Sequence, residues 1–189
     1  MTGCAALLDA NVLYSSFVRD ICIDLSRAGA FRGRWTDEIH QEWMRALRRN
    51  DPRMTPERLE QIRDRINGAS RGCLVTGYER LIPELNLPDP DDRHVLAAAI
   101  VGRCDVIVTK NLKDFPDEAL ARHRIEAQPP DTFLVNQLGR DAGLFCEVIK
   151  KTRNRLKNPP HGVERYLSSL RGEGLAGTAD ALEKHAHLL

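Results

Sequence analysis

Short apolar runs alternate along this chain with longer segments of helical spacing, and this alternation limits the possible folds more than any other feature. The runs lie at residues 4–8, 73–76, 105–109 and 125–127. Between the first two, apolar residues recur at helical spacing from residue 17 onward and again after Thr36 and Thr55, which suit helix caps. Strands that alternate with helices form parallel sheets. We therefore expect an α/β fold with a central parallel sheet flanked by helices.

The C-terminal residues are predicted to form a separate helical unit. The stretch 139-GRDAG-143 is the best candidate for a boundary, and three helical patterns follow it. A unit of about 50 residues is too small to be stable without packing on a larger domain. We predict a main domain over residues 1–138 and a C-terminal helical extension over residues 139–189.

Composition argues against several classes of protein. Lys and Arg number 28 against 27 Asp and Glu, so the net charge gives no argument about a nucleic-acid partner. The five cysteines include no CxxC pair, which gives no support to a disulfide framework or a zinc site. The chain has no signal-peptide pattern and no apolar stretch near the roughly 18 residues of a membrane span. We expect a cytoplasmic protein that does not enter the membrane.

The histidine spacing and the absence of common glycine motifs argue against several kinds of functional site. The six histidines show no metal-ligand spacing, and we interpret all of them as surface or packing residues. The sequence contains no GxxxxGK[ST], GxGxxG or GxSxG motif. P-loop nucleotide hydrolysis, dinucleotide binding and serine hydrolysis therefore lose their usual sequence support.

Three aspartates crowd the start of a helical pattern in 88-PDPDDRHVLAAAIVG-102. Asp89 suits a helix cap and Pro90 the first turn, where the helix dipole also favours acidic side chains. Capping does not explain Asp92, which lies on the same face as the apolar residues that follow it. A carboxylate near a core is costly unless it is paired or bound to a metal. We therefore interpret Asp92 as functional, Asp91 as outward-facing and Asp89 as a cap.

Further polar candidates follow the predicted strands. Asp9 follows the first strand, while Asn111 and Asp114 follow the strand at 105–109, at the edge where open α/β sheets bind ligands. Glu42 comes from a predicted helix. Taken singly, Asp9 could form a turn and Glu42 could be a solvated surface residue.

Considered together, these acids indicate a metal site. Carboxylates that converge without nearby cations repel each other unless a divalent ion neutralises them. Oxygen ligands without His or Cys favour Mg²⁺ or Mn²⁺. A site of this kind suits phosphodiester hydrolysis.

Basic residues cluster in two places, which are Arg45, Arg48, Arg49, Arg53 and Arg58, and then Lys150, Lys151, Arg153, Arg155 and Lys157. Such runs are usually solvated helix faces. The alternative is contact with nucleic-acid phosphates beside the acidic site, which predicts binding that weakens steeply with salt.

Four motifs, in order along the chain, resemble one known family. They are 8-LDANVLYSS-16, Glu42 in 37-DEIHQEW-43, 89-DPDDRHVLAAAI-100 and 107-IVTKNLKDFP-116. Together they resemble the PIN-domain ribonucleases and, among these, the VapC-like toxins of bacterial type II toxin–antitoxin systems. The resemblance implies that residues 1–138 form a PIN-like nuclease domain, in which Asp9, Glu42 and Asp92 bind Mg²⁺ or Mn²⁺ for cleavage of single-stranded RNA.

The chain departs from the family pattern at a fourth position. Many members have Asp in a TxD pattern, whereas this chain has Asn111 in 109-TKN-111. A neutral amide would hold a metal more weakly, which leaves Asp114 as a helper. Asn11 matches a frequent family residue and is expected to shape the turn after Asp9.

The leading hypothesis is a metal-dependent endoribonuclease that acts as a toxin. Its predicted catalytic residues are Asp9, Glu42, Asp92 and Asn111. Its predicted metal ligands are Asp9, Glu42, Asp92 and Asp114. The resemblance further implies an RNA substrate, a cognate antitoxin protein and a homodimer. The alternative is a catalytically weak PIN-like module that binds RNA. A deoxyribonuclease of the related 5′-nuclease type lacks support, because such enzymes need longer insertions. The role of the C-terminal extension stays open.

Overall fold

The computed structural model describes residues 3–69, 72–157 and 159–189, and its centre is a four-stranded parallel sheet. The strands are β1 (Ala5–Leu8), β2 (Arg32–Arg34), β3 (Val106–Val108) and β4 (Glu126–Gln128), in the spatial order β2-β1-β3-β4. All neighbours pair in parallel. The predicted α/β fold with a central parallel sheet is confirmed.

Ten α-helices are described, and they surround the sheet and form the C-terminal region. They are α1 (Ala10–Tyr14), α2 (Ser16–Arg27), α3 (Asp37–Asn50), α4 (Pro56–Asn67), α5 (Arg93–Val101), α6 (Asp117–Ala121), α7 (Pro130–Arg140), α8 (Ala142–Asn154), α9 (Val163–Gly172) and α10 (Ala176–Glu183). Thr36 and Thr55 cap α3 and α4 through their side chains, as predicted. None of the helices in the described residues is long and apolar enough to cross a membrane.

The run at 73–76 is not a strand of the sheet, so this prediction is wrong. Its contact is a single bridge between Leu74 and Trp35, with Trp35 N donating to Cys73 O and Val75 N donating to Trp35 O. Gly72 and Gly77 flank the run and both have positive φ. The backbone therefore changes direction on each side of the run, and strand pairing does not extend beyond the bridge. The run therefore lies beyond the edge strand β2, beside the residue that follows this strand.

The core lies on both sides of the two central strands. Leu7 and Leu8 of β1 and Ile107 and Val108 of β3 are fully buried, which is typical of parallel strands covered on both faces. Three consecutive alanines of α5, at 97–99, are also fully buried. Their small side chains allow this helix to lie close to the sheet, so its N-terminus is held firmly beside the carboxyl ends of β1 and β3.

The C-terminal helices pack on the main domain through α2 and α7. Asp131 lies where a sequence pattern suggests a cap for its own helix, but the N-cap of α7 is Pro129. The carboxylate of Asp131 instead accepts hydrogen bonds from Gly177 N (2.8 Å), Thr178 N (2.7 Å) and Thr178 Oγ1 (2.6 Å) at the start of α10. Helix α7 runs through the predicted boundary at residue 139 and ends at Arg140.

Candidate metal centre

Asp9 lies directly after β1, at the carboxyl edge of the sheet, and it is 5% exposed. Its Oδ1 accepts from Ala10 N (2.6 Å), which makes Asp9 the cap of α1. Its Oδ2 accepts from Asn11 Nδ2 (2.5 Å) and from Thr109 Oγ1 (2.6 Å). Burial is the main cause that raises the pKa of Asp9; the hydrogen bonds from Thr109 and Ala10 oppose it, and the charge of Glu42 adds to it. Helix α1 thus begins directly after Asp9.

Asn11 joins the ends of β1 and β3. Its Nδ2 also donates to Thr109 Oγ1 (2.9 Å), and its Oδ1 accepts from Lys110 N (2.9 Å). The side chain therefore joins the first turn of α1, rather than a loop turn, to the segment after β3.

The carboxylates of Asp89, Asp92 and Asp114 form a cluster whose ligand atoms all lie within 4.8 Å of one another. Asp89 also accepts from Asp91 N (2.9 Å), so its predicted capping role is confirmed. The prediction that it is only a cap is incomplete, because its carboxylate belongs to this cluster. Asp91 is exposed, as predicted.

Asp92 ends a short 3₁₀ turn, Pro90–Asp92, and precedes the first residue of α5. Its side chain makes no capping hydrogen bond, so the carboxylate does not cap α5. Burial, followed by the charges of Asp9, Asp89, Asp114 and Glu42, raises the pKa of Asp92 to about 6. The carboxylates from these separate segments thus lie close enough to repel one another, and a cation would relieve that repulsion.

Asn111 lies between two acids of the cluster. Its Nδ2 donates to Asp114 Oδ2 and, at 3.5 Å, to Asp92 Oδ2, while its backbone N–H donates to Thr109 Oγ1 (3.0 Å). The neutral amide holds the two carboxylates together without adding negative charge.

Glu42 lies on α3 and contacts His94. The sequence pattern predicts that this histidine is a surface or packing residue. His94 Nε2 lies 2.9 Å from Glu42 Oε1, and its Nδ1 lies 3.5 Å from Glu38 Oε2. Tyr78 Oη donates to the same Glu38 oxygen (3.1 Å). His94 is 4% exposed, so it is not a surface residue, and its contacts are polar.

The protonation of His94 depends on opposing effects. Burial lowers its pKa, but the hydrogen bond to Glu42 and the charges of Glu42 and Glu38 outweigh burial, so the pKa of His94 is raised. The relevant sequence signal was a histidine two residues after Asp92, at the start of the same helix. Its partner Glu42 lies 52 residues away in sequence, which is why spacing alone did not find the pair.

A recess of about 430 Å³ adjoins Glu42. Its lining residues are Ala10, Asn11, Tyr14, Glu42, Trp43, Ala46 and Lys110. The recess therefore shares Glu42 with the acidic site, and it also includes Ala10 and Asn11, two of the three residues that donate hydrogen bonds to the carboxylate of Asp9.

A second cavity, of about 500 Å³, lies between α2 and α4 and brings together members of the two predicted basic clusters. It is lined by five arginines, Arg19, Arg27, Arg58, Arg65 and Arg155, and by two aspartates, Asp20 and Asp24. We call it the arginine cleft. Several members of the clusters are paired within the protein, such as Arg53 with Asp51, Lys151 with Glu147 and, inside the cleft, Arg155 with Asp24.

Comparison with known proteins gives matches to two family models. The model described as PIN domain matches residues 5–113, and the model described as VapC50 C-terminal domain matches residues 130–184. The chain is 55% identical over 94 residues to the "Putative ribonuclease VapC50" of Mycobacterium tuberculosis, which covers 50% of this chain and 55% of that protein. The match thus spans about half the length of this relative. No solved structure matches the chain.

Proposed function

The chain belongs to the PIN-domain family, and from this premise we propose that it is a metal-dependent endoribonuclease that hydrolyses phosphodiester bonds in RNA. The observation that carries the proposal is the cluster of Asp89, Asp92 and Asp114, whose carboxylate oxygens lie within 4.8 Å of one another, with Asp9 and Glu42 near enough for their charges to act on Asp92. The carboxyl edge of the sheet, where Asp9 lies, is where α/β folds bind their ligands.

The side chains suit a hard divalent cation. Three carboxylates offer ligand atoms within 4.8 Å of one another, and the negative charges of Asp9 and Glu42 act on the same place. Carboxylate oxygens are the ligands that Mg²⁺ and Mn²⁺ prefer. We propose Asp9, Glu42, Asp92 and Asp114 as ligands, with Asp89 added by the geometry. A bound ion of this class would activate water and stabilise the charge that develops on the phosphate.

Other residues of the chain hold these acids in place. Asn11 and Thr109 both donate to Oδ2 of Asp9 and so fix the orientation of its carboxylate. His94 holds Glu42, and Asn111 restrains Asp92 and Asp114. We propose that Asn111 acts in catalysis through this restraint, which keeps the ligand oxygens close to one another before a cation binds.

The test is cleavage of single-stranded RNA by the purified full chain with Mg²⁺ or Mn²⁺. Asp9→Asn and Asp92→Asn should each abolish most of the activity. Asp91→Asn is the matched control, because Asp91 is exposed and lies outside the acidic cluster although it belongs to the same helix start. Full activity in both Asp9→Asn and Asp92→Asn would overturn the proposal.

A second candidate function is an RNA-binding module with weak or no catalysis. The observation that favours it is Asn111, a neutral residue inside the cluster, where it donates hydrogen bonds to the acids. Calorimetric titration with Mn²⁺ separates the two functions. RNA affinity without measurable Mn²⁺ binding would favour the binding module, whereas Mn²⁺ binding together with cleavage supports the nuclease.

We further propose that the protein is the toxin of a toxin–antitoxin pair, that it acts in the cytoplasm, and that it forms a homodimer. Support comes from the resemblance of its motifs to the VapC-like toxins and from the C-terminal match at residues 130–184. The neighbouring reading frame should encode a small antitoxin protein that binds this chain. Light scattering should give a dimer mass, and a concentration-independent monomer mass would refute the dimer.

A further inference from the structure

The recess beside Glu42 has an apolar interior and a few polar edges. Ala10, Tyr14, Trp43 and Ala46 line it, and of these Trp43 is buried. Lys110 is exposed and adds an ammonium group. This combination of aromatic and aliphatic surface with a nearby cation differs sharply from the acidic cluster that it adjoins.

The hydrogen bonds around the recess leave its aromatic surface in a fixed position. Tyr14 Oη accepts from Asn50 Nδ2 (3.0 Å), and Trp43 Nε1 donates to His40 Nδ1 (3.0 Å). The side-chain amide of Asn11 is already bonded to Asp9, Thr109 and Lys110 N. Tyr14 is therefore the ring that a ligand in this recess would meet, and it needs no reordering to receive one.

An RNA substrate has an electrostatic difficulty at this site. Under the proposed function the scissile phosphate lies at the cluster of Asp89, Asp92 and Asp114, and before a cation neutralises these carboxylates they repel the anionic backbone. Binding energy for the nucleotides at the site must then come largely from groups other than phosphates. The recess is the apolar surface that shares a residue, Glu42, with the acidic site.

We propose that the recess binds the nucleobase of a nucleotide next to the scissile phosphate, with the base stacked on Tyr14 and the phosphate group near Lys110. This inference rests on the proposed nuclease function and specifies how that function positions its substrate. Single-stranded RNA presents unstacked bases, and proteins bind such bases on aromatic side chains without strict sequence preference. Because Ala10 and Asn11 hold Asp9, a base in the recess lies next to the metal ligands and fixes the position of its phosphate.

The experiment measures cleavage kinetics on a short RNA and on a series in which one base at a time is removed to give an abasic position. Tyr14→Ala should raise KM by about 5- to 100-fold, the effect expected when one base no longer stacks. Tyr14→Phe, which keeps the ring, should recover most of this loss. Val101→Ala is the control, since Val101 is an exposed apolar residue at the far end of α5.

The decisive result is the combination of the two changes. In the wild-type protein, one abasic position should raise KM by a similar factor, and in Tyr14→Ala the same abasic position should have no further effect, because both changes remove the same stacking interaction. Additive effects at every abasic position would overturn the proposal, as would an unchanged KM in Tyr14→Ala. An active wild type with either result refutes the inference alone, whereas an inactive wild type refutes the proposed function.

A second variant keeps the test valid if Tyr14→Ala does not fold. Ala46 lines the recess from α3 and is only partly buried, so Ala46→Leu would fill the recess without removing packing. It should raise KM on the intact RNA and lose sensitivity to the same abasic position, while Mn²⁺ affinity and the unfolding temperature stay at wild-type values. A KM equal to that of the wild type would contradict the proposal.

Discussion

His94 Nε2 lies 2.9 Å from Glu42 Oε1, which links the helix that begins after Asp92 to the carboxylate supplied by α3. On the other side of the imidazole ring, Nδ1 faces Glu38 Oε2 at 3.5 Å without a hydrogen bond, and Tyr78 Oη donates to the same Glu38 oxygen. These contacts among Tyr78, Glu38, His94 and Glu42 therefore bring three segments of the protein together at the edge of the proposed metal site. Side chains that orient metal ligands in this way are as much part of a site as the ligands themselves.

We expect His94→Ala to weaken Mn²⁺ binding and the turnover number by about 10- to 100-fold, because Glu42 loses the hydrogen bond that orients it. Calorimetry and single-turnover cleavage measure the two effects. His94→Gln keeps a hydrogen-bond donor and should recover part of both, which a purely structural role would not predict. His187→Ala, at an exposed position near the C-terminus, is the control. Wild-type Mn²⁺ affinity in His94→Ala would contradict this role.

The titration of Asp92 predicts how the stability of the metal-free protein depends on pH. Burial and the neighbouring acids raise the pKa of Asp92 to about 6, whereas an aspartate in an unfolded chain titrates near about 3.9. Between these values the folded state binds more protons, so the free energy of unfolding falls as the pH rises from about 4 to about 6. Above that window the charged Asp92 destabilises the metal-free fold by roughly 1–3 kcal/mol.

Asp92→Asn should therefore unfold at higher urea concentration than the wild type at pH 7.5 in EDTA, and the two should agree near pH 4. Mn²⁺ should stabilise the wild type at pH 7.5 far more than it stabilises the variant, since a cation bound to the folded state adds its binding free energy. Asp91→Asn serves again as the control. Parallel stability curves for the wild type and Asp92→Asn across this pH range would show that Asp92 is not under electrostatic strain.

Asn111→Asp tests the departure from the family pattern. The change replaces an amide that donates hydrogen bonds to Asp92 and Asp114 with another anionic ligand. We expect tighter Mn²⁺ binding at pH 7.5, because ligand charge strengthens carboxylate sites, together with lower stability of the metal-free protein. Asn111→Ala removes the same hydrogen bonds without adding charge, so it should not tighten binding. Equal Mn²⁺ affinities in the wild type and Asn111→Asp would place residue 111 outside the range of the ion.

The sequence predicted the parallel sheet and the positions of Asp9, Asn111 and Asp114 after strands, because strand ends and helix caps are local signals. The run at 73–76 was mistaken for a strand because apolar composition does not reveal whether a partner strand continues beside it. His94 was missed for a related reason, since its partner is on another helix. Asp131 has the position of a cap for its own helix, yet the N–H groups that it binds lie in α10. Residue spacing in the sequence therefore could not predict the contacts between distant segments.

The arginine cleft is the place where contact with RNA phosphates can be tested. Arg58 and Arg65 are exposed on α4 and line the cleft, so the double variant Arg58→Gln, Arg65→Gln should weaken binding of single-stranded RNA measured in EDTA. The slope of log affinity against log salt should become shallower by about 0.7 for each phosphate that the variant no longer neutralises. The control is Arg103→Gln, Arg124→Gln, because both residues are exposed and neither lines the cleft. An identical salt slope in both double variants would exclude the cleft from RNA binding.

Asp131 predicts how firmly the C-terminal helices are held. Its carboxylate accepts from Gly177 N, Thr178 N and Thr178 Oγ1, so it acts as the cap of α10 from a neighbouring helix. Asp131→Ala should lower the free energy of unfolding by about 2–3 kcal/mol, the sum expected for removal of a cap and of a charge-assisted hydrogen bond. Limited proteolysis should then cut preferentially after α7, whereas Asp180→Ala, which removes an exposed ion pair with Arg171, should change stability little. If Asp131→Ala is as stable and as resistant to protease as Asp180→Ala, the contact with α10 does not hold the extension in place, and the packing of α8 on α2 must hold it instead.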